Sequence, residues 1–445
     1  MAEVNQKMCQ FAFEGGLTQV RRILFVDDEQ KVLDGLKRLV RRQGQPWDVS
    51  FATGGEVALE LLEREPCDVI VSDMRMPGMD GLALLDEIRV RHPRVARIIL
   101  TGYADLEASL RAVAVAHQYL IKPCDVKALA IAVERACSLQ SVLSSATLVR
   151  ILGSIRDLPC APSTYAALNG ALGDPDATLE TIAQIIEQDV GLSAKVLQIS
   201  SSAFFGMAER SSTVRNAVSH LGVNIIRKLL LADGTFRPSP AGFDVFPMDR
   251  FQNHAQAVAR IVSTIPLPDH LADSAAVAGL LHDVGELVLA SRLPTAFRAA
   301  VENARKSQRP LHEVEEEQYG ASHAEVGAYL LSLWGFSAVA TEAVAHHHHP
   351  DRIPHGGMDA VTAVFLANHL AREFEENTER PLSPVLLNDL GIAGQYPAIR
   401  DRARQEYARQ STPAMPAKDA GYDQGRSVTD GLTTNADALP QQSPW

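Results

Sequence analysis

The first third of the chain alternates short unbroken apolar runs with amphipathic stretches. Ile23-Leu24-Phe25-Val26, Val69-Ile70-Val71, Ile98-Ile99-Leu100 and Tyr119-Leu120-Ile121 are continuous rather than alternating. That is the pattern of parallel strands covered on both faces. Val49 to Ala52 reads as a fifth, weaker strand. Between these runs, Val32, Leu33, Leu36, Leu39 and Val40 share one helical face, and Val57, Ala58, Leu61 and Leu62 share another. Repeated strand-helix units of this size predict a doubly wound α/β domain with a five-stranded parallel sheet over 21–140.

Beyond Lys127 the strand signals fade. A helix from Val126 through Ser141 closes the first domain, and 141–150 reads as a linker within the stretch Ser144 to Leu158. From Leu148 to Glu373 the pattern is helical almost throughout, punctuated at Leu158-Pro159, Gly173-Asp174-Pro175, Phe236-Arg237-Pro238 and Pro266-Leu267-Pro268. We expect an all-α domain over 151–375 and a partly helical extension over 376–410. The lead-in, 1–20, reads as flexible and the Ser-, Thr-, Pro-, Gly- and Gln-rich tail, 411–445, as disordered.

Composition narrows the classes. A chain of 445 residues exceeds one ordinary domain, and 46% hydrophobic with 22% charged residues can bury real cores. A formal charge of −12 argues against a nucleic-acid-binding role, and Arg215, Arg227 and Lys228 are too few for a basic recognition helix. The five cysteines, Cys9, Cys67, Cys124, Cys137 and Cys160, are scattered and contain no CxxC pair. This excludes a disulfide framework or thiolate zinc site and fits a reducing cytoplasm. No apolar run is long enough to suggest a membrane span or a secretory leader.

Polar residues with chemical potential fall just past the strand ends: Asp27 and Asp28, Asp73, Thr101, and Lys122. Ligands of open α/β sheets bind there. Clustered carboxylates repel one another unless a cation joins them, and their all-oxygen chemistry favours Mg²⁺. A carboxylate can itself attack phosphorus, with Mg²⁺ and an ammonium neutralising the transferring oxygens.

These positions, with Asp73-Met74-Arg75-Met76-Pro77-Gly78-Met79-Asp80-Gly81, resemble the receiver domain of two-component response regulators over roughly 115 residues. The resemblance implies Asp73 as phospho-acceptor, and Mg²⁺ on Asp27, Asp28, Asp73 and the Arg75 carbonyl. It implies Thr101 and Lys122 as phosphoryl-binding groups, Tyr119 as a switch aromatic and a cis bond before Pro123. Thr101-Gly102-Tyr103-Ala104-Asp105-Leu106-Glu107-Ala108 resembles receivers joined to HD-type outputs.

The helical half carries His254, His282-Asp283, His323 and the run His346 to His349. Histidine and aspartate on several helices can converge on a transition metal. Gly279-Leu280-Leu281-His282-Asp283-Val284-Gly285 resembles HD-superfamily phosphohydrolases, implying His254, His282, Asp283, His323, His346, His347 and Asn368 as a metal set. Asn368 stands where the superfamily has an aspartate. Glu286 stands where the motif of the HD-GYP cyclic-dinucleotide phosphodiesterases, whose further ligands His323, His346 and His347 resemble, has a lysine. Both count against hydrolysis. Ile185 to Leu197, Ser202-Ala203-Phe204-Phe205-Gly206 and Ala217 to Gly222 resemble a related output module, the HDOD domain. That implies a non-catalytic output acting through protein contacts, with a histidine kinase as phosphodonor and a downstream protein, in cyclic di-GMP pathways or as a homodimer, as partner. The alternative is a phosphorylation-gated phosphohydrolase acting on nucleotides or cyclic di-GMP.

Overall fold

The computed structural model describes residues 20–43, 47–102, 112, 115–122, 126–138, 145–155, 157–174, 176–200, 213–231, 237–238, 246–354 and 357–411. The expectations for 1–19, 103–108, Pro123, Cys124, the 202–206 motif and the tail from 412 lie outside them.

The amino-terminal third is an α/β domain. β1 (Arg21–Val26), α1 (Gln30–Gln43), β2 (Trp47–Ala52), α2 (Gly55–Arg64), β3 (Val69–Asp73), α3 (Gly81–Arg91), β4 (Ala96–Thr101), β5 (Gln118–Ile121) and α4 (Val126–Ser138) follow in order. The five strands are parallel, in the order β2-β1-β3-β4-β5, with Ile23 paired to both Val49 and Val69. β3 and β4 are buried along their whole length, which is why their runs are unbroken. One expected core position is wrong: Val57 is 43% exposed. On a helix it lies about 100° round from Ala58 and further from Leu62, off the narrow stripe those residues bury.

The rest of the described chain is mostly helical. α5 (Ala146–Gly153) leads into β6 (Pro159–Cys160), α6 (Pro162–Gly173), α7 (Leu179–Glu187), α8 (Val190–Ser200), α9 (Val214–Leu231) and β7 (Arg237–Pro238), which pairs with β6. α10 (Met248–Thr264), α11 (Asp269–Leu281), α12 (Val284–Arg292), α13 (Pro294–Ser307), α14 (Leu311–Tyr319), α15 (His323–Leu333), α16 (Ala338–His346), α17 (Ala360–Glu375), α18 (Pro384–Asp389) and α19 (Tyr396–Ser411) complete it. Asp189, wholly buried between α7 and α8, accepts from the N–H of Ala161 (2.7 Å) and Leu192 (2.9 Å) and from Gln252 Nε2 (3.1 Å), tying the helix pair to β6 and α10. Gly222 turns α9 with φ 72°. The extension is anchored by Arg400, whose Nη2 lies 2.6 Å from the buried Glu373 carboxylate.

Among the described residues, Asp269–Arg292 alone is long and apolar enough to cross a membrane, and 67% of its most apolar window is buried. It is a pair of core helices, broken at His282-Asp283.

The two halves are in direct contact. α15 packs on α4 and α5. Arg97, at the start of β4 and only 1% exposed, donates to the carbonyls of Val115 (2.7 Å) and Gly153 (2.7 Å). A Cβ on Gly153 would sit 1.6 Å from the Pro93 carbonyl oxygen, so only glycine permits this approach. Gln198 of α8 reaches the His117 carbonyl at 3.5 Å, and Lys195, 2% exposed, lies over the Trp334 ring.

Candidate functional site

The first site lies at the carboxyl ends of β1, β3, β4 and β5. The chain leaves the sheet at Asp27, Asp73, Thr101 and Lys122, so these four project from one end. Lys122 Nζ lies 2.6 Å from Asp27 Oδ2 and 2.5 Å from Asp73 Oδ1. Burial lowers the Lys122 pKa, but hydrogen bonds to the two carboxylates outweigh it and hold the ammonium above its ordinary value. Asp73 Oδ2 accepts from the Arg75 N–H at 3.0 Å, and Asp27 Oδ1 from the Glu29 N–H at 2.9 Å. Asp28 is exposed beside them. Arg75 thus touches Asp73 through its N–H, whereas the expectation concerned its carbonyl. Thr101 is buried, its hydroxyl donating to the Gly102 carbonyl at 3.2 Å. Tyr119 is turned inward, its hydroxyl 2.9 Å from the Ala112 carbonyl and 3.1 Å from that of Ala116. A Cβ on Gly81 would stand 2.0 Å from the Asp73 carbonyl oxygen, so the loop folds tightly under Asp73. Two carboxylates share one ammonium at this pocket, with Asp28 exposed beside them, an all-oxygen donor set that fits a hard divalent cation.

The second site lies among the helices. His254 is on α10, His282 and Asp283 join α11 to α12, His323 opens α15, and His347 follows α16. Each histidine has its Nδ1 held by an acceptor: Glu375 Oε1 at 2.8 Å for His254, the Gly279 carbonyl at 2.9 Å for His282, Glu315 Oε2 at 2.6 Å for His323 and the Val344 carbonyl at 2.7 Å for His347. Carbonyls and carboxylates only accept, so Nδ1 donates in all four. Where burial keeps the ring neutral, as at His282 and His347, Nε2 turns a lone pair inward. The four Nε2 atoms surround Asp283. His282 (3.0 Å) and His254 (3.8 Å) face Oδ2, while His347 (3.2 Å) and His323 (3.4 Å) face Oδ1. Four ligands on Zn²⁺ at about 2.0–2.1 Å stand roughly 3.4 Å apart in a tetrahedron, so these spacings suit a divalent cation. The Nε2 atoms of His282 and His347 and Asp283 Oδ1 are buried without a hydrogen-bond partner. Lone pairs aimed at a carboxylate call for a cation or a proton between them.

Electrostatics separates the members. Burial pushes His282 down and His347 down to about 4. Burial also opposes charge on His323, yet Glu315 and Asp283 hold it well above its ordinary value. Burial would raise Asp283, but the surrounding histidines, His282 first, keep it well below the carboxylate range. Glu286 borders the cluster, pushed up to about 7 by burial and then by Asp283. Asn368 is buried against His254 Nε2 at 3.1 Å and accepts from Arg372 Nε at 3.0 Å. The Arg372 guanidinium thereby comes within 3.9 Å of Asp283.

One predicted ligand does not join. The two groups of ligand atoms, each within 4.8 Å of one another, are Asp283, His323, His347 and His348, and His254, His282 and Asp283. His346 is the last residue of α16, a helical step away from the inward-facing His347. The turn that follows brings His348 to 2.8 Å from His323 Nε2 instead. Glu315, Glu375 and Arg372 were not anticipated.

Comparison with known families decides the assignment. The family model for the response regulator receiver domain matches residues 23–134, and that for the HDOD domain matches 158–350. The chain is a receiver domain followed by an HDOD domain. This is the organisation of a two-component response regulator, and nothing shows the HDOD domain to be catalytic. A protein of Treponema pallidum is 28% identical over 51% of this chain and 45% of its own length. The DNA-binding transcriptional regulator NtrC of Salmonella typhimurium is 43% identical over 25% of this chain and 24% of its own. The chain spans less than half the length of these curated relatives. The MmoQ response regulator of Methylococcus capsulatus is a structural neighbour at 24% identity, covering 56% of this chain and 97% of that one, with a TM-score of 0.44.

Proposed function

We propose that Asp73 accepts a phosphoryl group from a histidine kinase and that the HDOD half relays the change by altering its contacts with a downstream protein. The observation that carries this reading is Lys122 Nζ bridging Asp27 and Asp73 at 2.6 and 2.5 Å. An Asp73 carboxylate oxygen attacks phosphorus, the P–N bond to the donor imidazole breaks, and the electron pair leaves with that nitrogen. Mg²⁺ bound by Asp27, Asp28 and Asp73 would neutralise charge on the transferring oxygens. Lys122 holds Asp73 in place beforehand and has a new dianion to follow afterwards. Thr101, at the same sheet end, can donate its hydroxyl to that dianion. Tyr119, hydrogen-bonded to Ala112 and Ala116, ties the preceding segment to the sheet and is the group through which the change spreads.

In the HDOD half two ligand groups share Asp283, one with His323, His347 and His348 and one with His254 and His282, and they offer a site for a divalent cation. Such an ion would supply Lewis acidity or cross-linking of helices. We favour cross-linking. Asn368 contributes no charge where an acid would strengthen binding, and Glu286 borders the cluster with a carboxyl that would disfavour a phosphate ester there. The competing reading, a phosphohydrolase, draws on the inward convergence of the four Nε2 atoms.

The test uses the full chain with Mg²⁺ and acetyl phosphate, followed by intact mass. One phosphoryl adduct, absent in Asp73→Asn, is expected; equal labelling of the variant would refute the assignment. Turnover of cyclic di-GMP by zinc- or manganese-loaded protein, lost in His282→Ala, would make the chain an enzyme.

A further inference from the structure

α15 belongs to the helical half and reaches from its histidine cluster to the receiver. It is a single helix of 11 residues, all but Glu325 buried, started by a capping box between Ser322 and Glu325. Its first residue is His323. Glu315 accepts both the His323 backbone N–H (2.8 Å) and its Nδ1–H (2.6 Å), so the ring cannot turn independently of the helix. Its last turn meets the receiver. The Ser332 hydroxyl donates to the Arg135 carbonyl of α4. Beyond the helix, Gly335 has φ 80°, and a Cβ there would stand 3.2 Å from the Gln118 side chain at the start of β5. α4 begins four residues after Lys122, the group that grips the acceptor.

The helix also cannot slide past its neighbour without effect on the cluster. A Cβ on Gly285 would fall 1.9 Å from the His323 carbonyl oxygen, so α12, which begins directly after Asp283, and α15 touch backbone to backbone. Ligand distances in a metal site hold to within about 0.2 Å of their standard values. A tilt of α15 imposed at Ser332 therefore reaches the gap between His323 and Asp283 as a change in cation affinity.

We propose that α15 couples phosphorylation at Asp73 to divalent-cation affinity at the Asp283 cluster. This rests on the reading of that cluster as a cation site. Coupling of this kind is reciprocal: a cation bound at Asp283 biases the receiver by the same factor that phosphorylation biases the cation site.

The experiment titrates Zn²⁺ into full-length protein against a chromophoric chelator, in excess Mg²⁺ to fill the receiver, with and without acetyl phosphate. Wild type is expected to bind Zn²⁺ and to change affinity by about fivefold or more on phosphorylation, within the usual range for allosteric coupling. Ser332→Ala should keep the unphosphorylated affinity within about twofold while losing most of the shift, and Gly335→Ala, which presses on Gln118 from the other side, should alter the shift as well. Tight Zn²⁺ binding that is indifferent to acetyl phosphate overturns the coupling and leaves the cation site standing. A full shift surviving in both Ser332→Ala and Gly335→Ala removes α15 from the route. Zn²⁺ binding that is absent, or unchanged in His323→Ala, sinks the cation reading, and the coupling with it.

Discussion

Arg97 donates a 2.7 Å hydrogen bond to the carbonyl of Gly153, and by it a receiver strand caps the carboxyl end of the helix that leads into the HDOD domain. A cation at that end of a helix also meets the negative pole of its dipole. The guanidinium is satisfied by carbonyls and the His117 ring rather than by a carboxylate. Arg97→Met leaves the Val115 and Gly153 carbonyls without this donor. We expect a loss of about 2–4 kcal/mol in denaturant titration, since each orphaned buried acceptor costs about 1–3 kcal/mol. Gly153→Ala should cost at least as much, through the collision with Pro93.

Lys195 makes stability depend on pH at the same junction. Burial lowers its pKa to about 7 from 10.5. Between those values the unfolded chain binds a proton that the folded chain does not, so stability rises with pH across the window. The stability of wild type relative to Lys195→Met should therefore rise on the order of 2 kcal/mol from pH 7 to 10, the Trp334 ring offsetting part of the desolvation. Paired urea titrations at several pH values measure it. A flat difference would mean that the ammonium is not desolvated.

Glu315→Gln should weaken Zn²⁺ binding about 10- to 100-fold, as loss of a carboxylate that orients a metal-ligating histidine does. His346→Ala, one residue from a ligand yet outside both groups, should change it less than about twofold. The same chelator competition reads both, and equal losses would contradict the assignment of His347 and His348.

Gly81→Ala places a methyl group against the Asp73 carbonyl. We expect about 1–3 kcal/mol of destabilisation, the ordinary cost of overpacking. Phosphoryl acceptance should fall as well, because the displaced residue is the acceptor. Intact-mass kinetics with acetyl phosphate would show it, and unimpaired labelling would argue that the loop can yield.

Much of the receiver was legible because its strands are buried on both faces and each ends on a polar residue that the sheet leaves at one rim. Asp27, Asp73, Thr101 and Lys122 could be read from position alone. The histidine cluster was legible by residue type and less so by membership. His346, His347 and His348 are adjacent in sequence, and only the turn after α16 separates them. Glu315 sits in the acidic run Glu313 to Glu317, where nothing local distinguishes the one carboxylate that turns inward. Arg97 reads as an ordinary lead-in to Ile98-Ile99-Leu100. Its role belongs to the contact between halves, which no local pattern encodes.

That contact bears on how such regulators can be recombined. Arg97, His117 and Gln118 from the receiver, with Lys195 and Gln198 from the helical half, are all buried at the junction. A chimera that pairs either half with a foreign partner inherits one side of this polar seam and must supply the complement. Otherwise it carries stranded charges into an apolar contact, and the graft fails at the seam although both domains are intact.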